Sequence, residues 1–165
     1  MPSLTADFDE LMRRVQSGRE FSHASFEPIY YLVFHPRDML EVKRQMAAWT
    51  ARLKNAGWNV KTFSLDWEKT NKSLANALTG RDQLQKRLES AISELKDDPD
   101  AIVLVTDLEA LHPYLRIGAI EAQLQGKFHI PTIFFYPGVR TGRTRLRFLG
   151  FYPEDGNYRS VHVGG

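Results

Sequence analysis

The sequence predicts an α/β fold: a mostly parallel sheet of about four strands with helices on both faces, plus a C-terminal antiparallel hairpin at the edge. Three observations carry that expectation. Short apolar runs at Ile29 to Phe34, Ala101 to Val105 and Ile130 to Tyr136 are each bounded by proline, glycine or acidic residues, which is how strands buried on both faces read. Longer stretches between them repeat their apolar residues at helical spacing. Strands alternating with helices require right-handed crossovers and hence parallel neighbours.

Leu4, Phe8, Leu11, Met12 and Val15 form a first helical stripe that Ser3 is placed to cap and Ser17-Gly18 to end. The run Ile29-Tyr30-Tyr31-Leu32-Val33-Phe34, between Pro28 and Pro36, is the first core strand. Met39, Val42, Met46, Trp49 and Leu53 then share one helical face, closed by Asn55-Ala56-Gly57 in the usual C-terminal manner. Trp58 to Leu65 alternates as a second strand, and Asp66 is placed to cap the helical region after it.

That region extends to about Lys96, with Leu74 and Leu78 on one stripe and Leu84, Leu88, Ile92 and Leu95 on another. Thr79-Gly80 between them predicts two helices or a bend. Asp97-Asp98-Pro99-Asp100 stops the region and leads into the strand Ala101 to Val105, which ends at Thr106-Asp107. Leu115, Ala119, Ala122 and Leu124 support a short helix after Pro113, with Gly126 near its end, before the strand Ile130 to Tyr136. From Arg143 the pattern changes. Leu146 and Phe148 alternate with Arg145 and Arg147, a turn spans Pro153 to Asn157, and Tyr158 to Val163 can return as a strand, which reads as the edge hairpin. No linker, repeat or low-complexity tract interrupts the chain, so one domain over residues 1–165 is expected.

Cysteine is absent, which excludes a disulfide framework, a thiolate nucleophile and any cysteine-ligated metal. The opening residues show neither a basic nor an apolar signal-peptide region, and no apolar run approaches the roughly 20 residues that span a bilayer. A soluble cytoplasmic protein is the expectation. The net charge is +2, but its placement is uneven. After Leu111 the cations Arg116, Lys127, Arg140, Arg143, Arg145, Arg147 and Arg159 face only Glu121, Glu154 and Asp155. Such a surplus suits phosphates or an acidic protein, and a solvated strand face produces the same count.

In open parallel sheets, ligands lie beyond the carboxyl ends of the strands. Those ends carry His35, Ser64 with Asp66, Thr106-Asp107 with Glu109, and Tyr136-Pro137-Gly138. The set is incomplete for catalysis. Gly138-Val139-Arg140-Thr141-Gly142-Arg143-Thr144 fails as a phosphate loop, with too few residues between its glycines, arginine for lysine, and a strand-like segment where a helix N-terminus is needed. Pro137 with two glycines is more simply a turn. Asp107 and Glu109 after an apolar strand resemble a magnesium-holding end, but Mg²⁺ would lack the phosphates that complete its shell. His23, His35, His112, His129 and His162 offer no helical or finger metal pair. Ser64 and Ser160 lack a nucleophile elbow. Arg143, Arg145 and Arg147 interleaved with Phe148, Phe151 and Tyr152 mix charge and stacking surface as single-strand binders do. A strand with wet arginines and buried aromatics has the same sequence.

Three stretches together resemble the BrxB-like family of bacteriophage exclusion (BREX) defence systems. They are Val105-Thr106-Asp107 through Leu111-His112-Pro113-Tyr114-Leu115-Arg116, Pro131 through Phe134-Phe135-Tyr136-Pro137-Gly138, and Leu146-Arg147-Phe148-Leu149-Gly150 with Asn157-Tyr158-Arg159. The chain departs from the family's Phe-Gly pattern by the intervening Leu149. The resemblance implies an accessory component of an antiphage system, with no known active site, that assembles with other defence proteins, in particular an alkaline-phosphatase-like one; from the residues, no cofactor is expected. Tyr114, Arg116, Tyr136, Arg140 and Arg147 are the expected partner surface, since tyrosine and arginine are enriched in binding hot spots. Arg143, Arg145 and Arg159 are candidate nucleic-acid contacts. Asp107, Glu109 and His35 are the residues a degenerate nucleotide site or an enzyme would use.

Overall fold

A computed structural model describes residues 4–20, 28–65, 77–111, 124, 130–140, 146–148 and 161–164. In chain order these form α1 (Leu4–Glu20), β1 (Ile29–Phe34), α2 (Met39–Asn55), β2 (Asn59–Ser64), α3 (Ala77–Glu94), β3 (Ala101–Thr106), β4 (Thr132–Arg140), β5 (Leu146–Phe148) and β6 (Val161–Gly164). A 3-10 turn, Pro36–Asp38, leads into α2, and another, Leu108–Leu111, comes after β3.

Among the described residues, five strands form a parallel sheet in the order β2-β3-β4-β1-β6. The α/β class therefore holds, with one more parallel strand than the sequence predicts. Because side chains alternate along a strand, β1 feeds two cores. Ile29, Tyr31 and Val33 join Leu88 and Ile92 of α3. Tyr30, Leu32 and Phe34 join Phe8, Leu11 and Val15 of α1 and Val42, Trp49 and Leu53 of α2. The apolar run of β1 is continuous because both its faces are covered. On the second face Trp49 lies between the rings of Phe8, at 4.7 Å and 11°, and Phe135, at 5.9 Å and 10°.

Several expected boundaries shift. α1 continues past Ser17-Gly18 to Glu20; a glycine inside a helix costs only about 1 kcal/mol against alanine, and Phe8, Leu11 and Val15 already anchor the helix on the sheet. α3 likewise runs unbroken through Thr79-Gly80. α2 ends as expected, with Gly57 at φ +97 just beyond it. Asp66, Leu74 and the expected helix after Pro113 lie outside the described residues, except for Leu124, which is buried.

β4 does not stop at Tyr136. It passes through Pro137-Gly138, where the sequence predicts a turn. Its ladder with β3 ends at Phe134, so the proline stands where one edge of the strand no longer needs a donor. Gly138 to Arg140 then pair antiparallel with β5, in the register Gly138 to Phe148, Val139 to Arg147 and Arg140 to Leu146.

The expected hairpin between the segments around Leu146 and Val163 does not form. β5 turns back on β4, while β6 runs parallel beside β1, with Tyr31 opposite His162 and Leu32 opposite Val163. The reason lies in burial on both sides of β6. Val163 packs on the α1–α2 core, and the His162 ring meets Tyr31 edge-on at 5.4 Å on the opposite face. A strand buried on both faces belongs in a covered parallel sheet, not in a half-solvated edge hairpin. Gly164 completes the contact, since a Cβ there would stand 2.5 Å from the Val33 carbonyl oxygen.

Candidate functional site

β2 and β3 are parallel and end level with one another, Ser64 opposite Thr106. Beyond them the Leu65 N–H donates to the Thr106 carbonyl at 2.9 Å, and the chain leaves β3 through Asp107. Asp107 has φ +62, a left-handed conformation that aspartate tolerates better than most side chains. Its carboxylate meets the end of β2: Ser64 Oγ donates to Oδ2 at 2.5 Å.

The other oxygen faces α2. Lys43 Nζ lies 3.2 Å from Asp107 Oδ1 and 2.5 Å from Glu109 Oε1, so one ammonium bridges two carboxylates on the loop after β3. The Asp107 side chain is 9% exposed, Glu109 24% and Lys43 45%. Partial burial disfavours the lysine charge, but Glu109 and then Asp107 outweigh it, and the Lys43 pKa lies above its ordinary value. The three groups together carry one excess negative charge.

This arrangement bonds α2 to the end of β3. The Ser64 hydroxyl donates to a carboxylate, whereas the general-base role in a hydrolase triad belongs to histidine. His35, at the end of β1, is used locally: its Nδ1 accepts the Arg37 N–H at 3.1 Å and caps the 3-10 turn into α2. Among the described residues no group of three or more His, Asp or Glu is arranged to hold a metal ion.

Of the strand-end residues expected from the sequence, Ser64, Thr106, Asp107 and Glu109 thus gather around one point. Lys43 completes the cluster and is not among the residues the sequence singles out. The signal was its position on α2, four residues after Met39 and three before Met46: a cation on the margin of an apolar stripe, early in a helix that starts where the strands end.

The expected partner surface is distributed differently. Tyr136 is completely buried, two positions along β4 from Phe134 and on the same core side, and packs edge-on against Tyr31 at 5.8 Å. It supports the sheet and offers no surface. In the β4–β5 ladder Arg140 pairs with Leu146 and Arg147 with Val139. Tyr114, Arg116, Arg143, Arg145 and Arg159 lie outside the described residues.

Beside the Asp107 cluster runs an open groove of about 540 Å³. α2 forms its wall with Ala47 and Ala51 between Lys43 and Lys54, and Thr62 of β2 and Thr106 of β3 lie in its floor. No helix among the described residues is long and apolar enough to cross a membrane.

A family model described as BREX protein BrxB matches residues 46–163, from the middle of α2 to β6. No curated protein and no solved structure matches the chain. The match covers well over half of the sequence and takes in the β3 end, the extended β4 with its β5 return, and the parallel β6, so the chain belongs to the BrxB family of BREX proteins.

Proposed function

We infer that this chain is a component of BREX antiphage defence, a reading supported by its membership of the BrxB family. We propose that this component is a non-catalytic assembly protein that holds another protein of the system, the alkaline-phosphatase-like one first among them. One observation carries the reading: the polar groups gathered at the strand ends satisfy one another. Lys43 spans Asp107 and Glu109, and Ser64 is bonded to Asp107. Active sites hold groups whose protonation is shifted toward a reaction. Here the shift on Lys43 keeps it protonated, which suits a brace between a helix and a loop.

A nucleic-acid role through the C-terminal arginines needs them on one wet face. The assembly reading is tested by expressing the tagged chain with the other products of its locus. Stoichiometric co-purification of the alkaline-phosphatase-like protein is the expected result. Recovery of the chain alone, from cells that express all partners, would refute the reading.

A further inference from the structure

We draw no further inference here: the strongest candidate, the open groove between Lys43, Ala47, Ala51 and Lys54 of α2 and the threonines Thr62 and Thr106 at the β2–β3 edge, carries nothing further because nothing in the structure shows what covers it.

Discussion

Asp107 holds a backbone conformation that most side chains avoid, and its carboxylate, shared between Ser64 and Lys43, keeps it there. Replacing it separates the two contributions. Asp107→Ala loses both partners and keeps the strained φ, whereas Asp107→Gly loses the partners and removes the strain, so the glycine variant is expected to be more stable by about 1 kcal/mol. Urea unfolding of the two proteins measures the difference, and an alanine variant as stable as the glycine one would contradict the account. Lys43 sets a pH dependence of definite sign. Its folded pKa is raised, so its contribution is complete below the unfolded lysine value, about 10.4, and is lost as pH rises through the folded one. At 45% exposure that contribution is at most about 1 kcal/mol. Stability is thus expected to be indifferent to Lys43 titration near neutrality and to fall on the alkaline side, with Lys43→Met removing that part of the fall. On the acid side Asp98 behaves in the opposite sense. Asn59 and then the Asp100 N–H hold its pKa down, so its contribution is present above the unfolded carboxylate value and disappears as pH falls through the folded one.

At the scale of elements, the wall of the groove is only as fixed as α2, and α2 is fixed by Trp49 between Phe8 and Phe135. Trp49→Ala is expected to cost about 3–5 kcal/mol, read from urea unfolding, while truncations at exposed α2 positions fall within about 0.5 kcal/mol. A cost below about 1 kcal/mol for Trp49→Ala would mean that α2 is not held by this stack. The same residues show how much of the fold is legible in the sequence. Val42, Trp49 and Leu53 repeat at helical spacing, and β1 and β3 are unbroken apolar runs, so local periodicity alone identifies them. The end of β4 is not legible, because Pro137-Gly138 carries strong turn chemistry and only the loss of its β3 neighbour after Phe134 makes a proline acceptable there. The pairing expected between the β5 and β6 segments fails for a related reason. Leu146 and Phe148 alternating with arginine specify a strand with one buried face but not its partner, and partner choice is settled by the free edge of β4 and the covered edge of β1. Of the candidate site, the hydroxyls and carboxylates at the strand ends follow from the strands themselves, whereas Lys43 and the φ of Asp107 depend on how α2 crosses them.

For the whole molecule, the sheet order β2-β3-β4-β1-β6 brings the ends of β2 and β3 together beside the start of α2 and places the groove next to them. If that region takes no nucleotide, ATP, GTP and Mg²⁺ leave the melting temperature unchanged; a ligand at about 100 times its dissociation constant would add roughly 2.7 kcal/mol. The most direct measurement asks whether the strand-end hydroxyl and imidazole are chemically required. Cells carrying the complete defence locus are challenged with phage after Ser64→Ala and His35→Ala are introduced together into this chain, with its abundance and its co-purification with the alkaline-phosphatase-like protein monitored in parallel. The account expects protection within a few-fold of the parent locus and an intact complex. Loss of protection by orders of magnitude, with abundance and complex unchanged, would mean that these groups perform chemistry and would contradict it.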